Sequence, residues 1–148
     1  MKHTLIKQAP IFLGIAAIVA CGSDSMAPNA TVTGTYSTTQ FVTTGSSGQT
    51  NQLLAGSTLF LTLASDGTLS GHLHMVATSS NPALEADMAG TWVQTGNTVK
   101  FTQTAVDTFV EDLTFAVVAN GNSWQLVGDH TFSGTRIQIT LSQLITLQ

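Results

Sequence analysis

His72 and His74 are the pair whose spacing most directly suggests chemistry. Two residues apart on an extended strand, two imidazoles share one face about 7 Å apart. That distance suits a metal ion, and a site would need a third or fourth ligand such as His130 or Asp129. His130, however, shares the parity of Trp124 and Leu126, whereas His72 and His74 fall on a polar face. They are therefore read as exposed polar positions on a strand. His72, His74 and His130 stay weak metal candidates, and no metal or cofactor is expected. The acids suggest no better chemistry. Glu111 and Asp112 are adjacent, so on a strand they point to opposite faces and make a poor general acid/base pair. Glu85 and Asp87 lie close to the start of a strand. No Gly-x-Ser-x-Gly, phosphate-binding glycine loop or paired-cysteine motif occurs. Catalysis is not expected.

The composition explains what must position these side chains. Charged residues make up 8% of 148, against about 25% in typical domains. Thr, Ser, Gly, Asn and Gln fill the polar positions instead, a mixture that favours pleated strands and tight turns over long surface helices. One cysteine, Cys21, allows no intramolecular disulfide. A single core must therefore hold the domain together. No apolar run reaches the roughly 20 residues a membrane-spanning helix needs.

The first twenty residues read as an export signal. Met1–Gln8 carries Lys2 and Lys7 and no acid, and an apolar stretch from Ile11 ends in small residues at Cys21. This is a charged n-region, a short h-region and a small-residue cleavage site. Ile18-Val19-Ala20-Cys21 resembles the lipobox of bacterial lipoprotein signals. The resemblance implies diacylglycerol on the Cys21 sulfur, cleavage before Cys21 and retention on a membrane. Gly22, where Asp would signal otherwise, implies the outer membrane by the same likeness. The expected organisation is a signal peptide over 1–20, the lipidated cysteine and a flexible tether over 21–31, and a β domain over 32–148. Without the signal, Lys100 and Arg136 face eight acids, a formal charge of 2 − 8 = −6. Nucleic-acid binding, which rests on clustered Lys and Arg, is excluded on that balance.

From Val32 onward, apolar and polar residues alternate with period two between turn signals, and eight strands are predicted. They run Thr33–Thr43, Ser57–Ala64, Thr68–Ala77, Asp87–Gln94, Thr98–Thr104, Glu111–Ala119, Trp124–Thr131 and Thr135–Leu144. Parity places Leu59, Leu61, Leu63, Leu69, Leu73, Met75, Met88, Trp92, Val99, Phe101, Leu113, Phe115, Val117, Trp124, Leu126, Ile137, Ile139 and Leu141 on the core face. Phe60, Val76, Val93, Val118 and Val127 interrupt the polar face, and Phe60, Val76, Val118 and Val127 are candidates for a contact patch. Eight strands with short links must close or form two layers, because open edges aggregate. An all-β, eight-stranded up-and-down antiparallel barrel is expected, with a two-sheet β-sandwich as the alternative. Two links are longer, Thr44–Gly56 and Thr78–Ala86, and one helical turn is expected over Asn51–Ala55.

This pattern resembles the lipocalin-like domains of small bacterial lipoproteins, over about Val32–Leu144. Gly34-Thr35-Tyr36 is similar to the lipocalin Gly-x-Trp with Tyr in place of Trp. The long link after the first strand is similar to the lid loop at a barrel mouth, and Gly90-Thr91-Trp92 and Gly134-Thr135-Arg136 add support. The likeness implies a barrel that binds a small apolar ligand inside, its wall including Tyr36, Leu61, Leu73, Met75, Trp92, Phe101, Phe115 and Trp124. The chain departs from the family in its short barrel segment and in having no helix after the last strand. Eight-stranded barrels can also be filled by their own side chains. The alternative is therefore a filled, inhibitor-like barrel whose loops contact another envelope protein.

Overall fold

The computed structural model describes residues 32–78, 82–104 and 108–145. The expected signal peptide, Cys21 and the tether lie outside the described residues, as do positions 79–81 of the Thr78–Ala86 link. Ten strands form: β1 (Gly34–Gly45), β2 (Gly48–Asn51), β3 (Thr58–Leu63), β4 (Thr68–Met75), β5 (Leu84–Asp87), β6 (Gly90–Thr95), β7 (Thr98–Gln103), β8 (Phe115–Asn120), β9 (Ser123–Phe132) and β10 (Thr135–Gln143). Eight of them, β1, β3, β4, β6, β7, β8, β9 and β10, pair antiparallel in chain order, and β10 returns to β1. The closing seam runs from Tyr36 opposite Gln143 to Thr44 opposite Arg136, with a bulge between Thr38 and Gln40. The sheet therefore closes as an up-and-down barrel of eight strands.

The two additional strands are short and sit on the wall. β2 folds back on the end of β1, with Val42 opposite Asn51, so the Thr44–Gly56 link is partly a hairpin. The turn expected after it is present: Ala55 N donates to Asn51 O at 3.2 Å, and the Asn51 side chain accepts from Leu54 N at 3.0 Å. β5 pairs with the second half of β4, while β6 meets only its first two residues. β5 and β6 are thus one bent path, interrupted at Met88–Ala89. Glycine permits the bend, because a Cβ on Gly90 would stand 2.0 Å from Thr102 O and one on Gly71 2.1 Å from Phe60 O. Gly90→Ala should destabilise the fold by about 1–3 kcal/mol as its methyl forces the strands apart. The exposed control Thr91→Ala should stay within about 0.5 kcal/mol. Urea unfolding of the two variants gives the comparison.

The register divides the barrel into two ends. Val32 leads into β1 at one end, here called the base, where Gly34 lies opposite Leu63. The β3–β4, β6–β7 and β8–β9 connections at the base are tight turns. The opposite end, the mouth, carries the β1–β3 link with β2, the β4–β5 link and a third long link, 104–114, along with the Ser133-Gly134 turn.

Burial follows the alternation. Leu59, Leu61, Leu63, Leu69, Leu73, Met88, Val99, Phe101, Leu113, Phe115, Leu126, Ile139 and Leu141 are all buried, joined by Val32, Tyr36, Phe41 and Val110 in one cluster. Met75, Trp124 and Ile137, placed on the core face by parity, are half-buried. They sit near strand ends, where the barrel opens to solvent. Two expectations are corrected. The strand expected from Glu111 begins at Phe115, because Val110 and Glu111 bond to Gln103 while Asp112 N and Leu113 N close a turn on Thr108 O and Val110 O. His130, placed inward by parity, is exposed near the mouth end of β9, where its ring lies beside that of Phe132. Phe60 and Val76 also lie on the β3–β4 side and Val118 and Val127 on β8–β9, so the barrel does not join them into one patch.

Candidate functional site

The wall residues of the expected ligand cavity can now be placed. Tyr36, Leu61, Leu73 and Phe115 have 0% exposure, Phe101 3% and Trp92 9%. A side chain with no accessible area touches no space that a water-sized sphere could enter, inside or out, so the middle of the barrel is packed by its own side chains. Phe101 and Phe115 meet edge to face at 5.2 Å between ring centroids. Tyr36 donates its hydroxyl to Val32 O at 2.7 Å, closing the base, and burial pushes its pKa up. Trp92 Nε1 donates to Ala64 O at 3.0 Å. The other two residues, Met75 and Trp124, are half-buried and stand at opposite ends, mouth and base.

The mouth is built differently. Five half-buried apolar side chains from five elements pack on the core there: Leu53 from the β1–β3 link, Met75 at the end of β4, Phe109 from the 104–114 link, Phe132 at the end of β9 and Ile137 at the start of β10. Between them, residues 108–113 fold inward as a plug. Thr108 starts a single turn, with Asp112 N donating to Thr108 O at 3.2 Å and the Thr108 hydroxyl to Asp112 Oδ2 at 3.3 Å. The turn drives Val110 and Leu113 into the core and sets Phe109 6.1 Å from Phe41 between ring centroids.

Gln103 holds the plug. Its Oε1 accepts from Val110 N at 2.8 Å and Glu111 N at 3.1 Å, its Nε2 donates to Met88 Sδ at 3.4 Å, and Glu111 Oε2 accepts from Gln103 N at 3.1 Å. Glu111 and Asp112 are thus fastening groups of the turn. Gln52 and Ser57 lock the other side of the mouth: Ser57 Oγ donates to Gln52 Oε1 at 3.3 Å and accepts from Val76 N at 3.1 Å. Phe41, Phe109, Val110 and Gln103 were not anticipated as site residues. The available signal was Phe109-Val110-x-x-Leu113 behind Thr108, an apolar spacing of one helical turn.

On the outer wall, the histidine pair meets carboxylates across β4 and β5. His72 Nδ1 lies 3.0 Å from Asp87 Oδ1 and His72 Nε2 2.8 Å from Glu85 Oε2, while His74 Nδ1 bonds the other Glu85 oxygen. Among the described residues, no group of three or more His, Cys, Asp or Glu is arranged to hold a metal ion. His130 stands on another strand, its ring 4.5 Å from that of Phe132.

With a carboxylate on each ring nitrogen, the protonated form of His72 can donate from both. The hydrogen bond to Asp87, then that to Glu85, raises its pKa above the ordinary 6.5. Hydrogen bonds from His74 and then His72 hold Glu85 below its ordinary 4.5. His72 therefore adds stability that is complete below pH 6.5 and is lost as pH rises through its raised pKa. Glu85 adds stability that is complete above pH 4.5 and is lost as pH falls through its lowered pKa. Both groups are exposed, so the contribution is small. Glu85→Gln should lower the thermal midpoint most between pH 4.5 and 6.5 and less on either side. A deficit independent of pH would contradict this.

Compared with known proteins, the chain matches no protein-family model and no curated protein. It is a small protein built as an eight-stranded antiparallel β-barrel, closed and up-and-down in strand order.

Proposed function

We propose that this protein is a lipid-anchored, lipocalin-like lipoprotein of the bacterial cell envelope that binds a small apolar ligand at the mouth of its barrel, without catalysis. The observation that carries the reading is the set of five half-buried apolar side chains gathered at the one end where all three long links converge. An apolar molecule laid against Leu53, Met75, Phe109, Phe132 and Ile137 would remove that surface from water, at about 25 cal/mol per Å². The anchor follows from Ile18-Val19-Ala20-Cys21, with the outer membrane as the address favoured by Gly22. Ten residues separate Cys21 from Val32, a span of at most about 40 Å when fully extended. Because Val32 joins β1 at the base, the link from Cys21 would enter the barrel at the end opposite the mouth.

A second reading is favoured by the packed interior: a filled barrel that contacts another envelope protein through the mouth loops. Titrating the full chain carrying Cys21→Ser with decanol separates the two. Ligand binding predicts saturable NMR shifts in the Leu53, Met75 and Ile137 methyl signals, with Leu61 and Leu73 unmoved. No saturable shift with any apolar probe would overturn it in favour of the protein contact. Photo-crosslinking in cells from Leu54, 85% exposed on the β1–β3 link, should then trap a discrete envelope protein.

A further inference from the structure

We propose that the base of the barrel is a second membrane contact, in which Leu144 and Ile145 enter the bilayer interface and hold the barrel end-on to the membrane. The proposal rests on the anchoring of Cys21 set out above and goes beyond it, because an acylated link alone leaves the barrel free to present any side.

Three observations lead there. The first is exposure: Leu144 is 53% and Ile145 58% exposed, and Val118, on β8 near the same end, is 42% exposed. Large aliphatic side chains left in water at one barrel end lower the free energy when they enter an apolar phase.

The second is position. Leu144 N donates to Thr35 O at 2.8 Å, and the Gln143 side chain donates to Thr33 O at 2.8 Å while accepting from Trp124 N at 3.1 Å. These bonds fix Leu144 beside the start of β1. The apolar pair therefore flanks the point where the link from Cys21 joins the barrel. Half-buried Trp124 is placed there too, and tryptophan is enriched at membrane–water interfaces.

The third is charge. The base is made from segments 32–37, 61–69, 91–102, 116–126 and 141–145, and among these described residues Asp66, in the β3–β4 turn, and Lys100, opposite Val93 in the β6–β7 hairpin, are the only charged side chains. Glu85, Asp87, Glu111, Asp112, Asp129 and Arg136 all lie toward the mouth or on the wall leading to it. Burying or crowding charge against lipid is costly, and the base has almost none to bury. The end where the link from Cys21 enters thus carries one acid and one lysine beside its exposed aliphatic side chains, while most of the acids lie toward the far end. An interfacial apolar segment lies about 5–10 Å into the headgroup and acyl boundary, a depth that two side chains at the tip of β10 can reach without unfolding the barrel.

The test uses the full chain made in bacterial cells with its own leader and reconstituted in vesicles of phosphatidylethanolamine and phosphatidylglycerol. An environment-sensitive fluorophore is attached through Ile145→Cys or Leu144→Cys at the base, or through Thr50→Cys on exposed β2 at the mouth. The acylated sulfur of Cys21 does not compete for the label. The expected result is blue-shifted emission at 144 and 145 that is quenched by doxyl-labelled lipid, with emission at 50 unaffected. If the protein floats with the vesicles, Cys21 carries lipid by mass spectrometry and the base labels are not quenched, this proposal fails and the anchor stands. Blue-shifted emission without doxyl quenching also overturns it, because another protein surface then covers the base. An unmodified Cys21 with no flotation removes both the anchor and the contact.

Discussion

Cys21→Ser, with residues 1–20 replaced by an ordinary cleavable export signal, should move the protein from the membrane to the soluble fraction of lysed cells. The effect is expected to be nearly complete, because acyl chains do most of the holding. Each buried methylene contributes about 0.8 kcal/mol, so one chain binds only reversibly, near 10⁴ M⁻¹, and a second makes release very slow. Without the thiol there is no attachment point, and a formal charge of 2 − 8 = −6 over the remaining chain gives anionic lipid no reason to retain it. The apolar contact at the base is too small to act alone. In the proposed arrangement its two exposed aliphatic side chains orient a tethered barrel and do not anchor a free one. Ultracentrifugation of lysates, with quantitative blotting of both fractions, measures the effect. Persistent membrane association of the serine variant would show that something other than this sulfur holds the protein.

Phe115→Ala should have the largest effect on the fold. Phe115 is 0% exposed, meets Phe101 edge to face at 5.2 Å, and fills the space that Gly128 leaves by lacking a side chain, where a Cβ would lie 3.1 Å from its ring. Truncation removes a ring from a packed interior with little room to collapse, at a cost of about 3–5 kcal/mol. Domains of this size are stable by roughly 5–15 kcal/mol, so the variant should melt about 10–20 °C lower and should be close to unfolding in growing cells. Val118→Ala on the outer wall of the same strand is the control, within about 0.5 kcal/mol. Calorimetry of the two gives the comparison directly. A small loss at Phe115 would mean that the middle of the barrel is looser than its zero accessible area implies.

The arrangement of ends was largely legible in the sequence. In a meander of eight strands, the links after the first, third, fifth and seventh must fall together, opposite the chain's entrance into the first. Thr44–Gly56 and Thr78–Ala86 obey that rule, and so does the 104–114 link. Period-two parity identified most of the core, since a one-residue slip would have exposed Leu59, Leu61 and Leu63 together. The plug escaped because Phe109, Val110 and Leu113 follow a helical spacing for one turn only, too short to stand out against the alternation on either side. Gln103 escaped for a different reason. A single glutamine becomes a fastening point only when a turn eight residues away presents two free N–H groups to it. The separation of Phe60 from Val118 was equally hidden, because parity says which face a residue takes but not how far around the barrel it lies.

The same geometry supports the proposed ligand site at the mouth. The tight turns at the base fix strand pairing with little chain to spare, whereas the mouth carries every link long enough to present side chains of its own. The packed centre makes the barrel a rigid support, and the half-buried apolar groups around the plug are the surface that support displays.

Closure of the barrel separates base from mouth, so the seam between β1 and β10 is the feature to measure. In the NOESY spectrum of the isotope-labelled protein, backbone cross-peaks are predicted from Phe41 to Ile139 and from Tyr36 to Gln143, alongside those from Tyr36 to Leu61. Cross-peaks from β1 to β3 with none from β1 to β10 would contradict the account, opening the barrel into a sheet or sandwich with no distinct base or mouth.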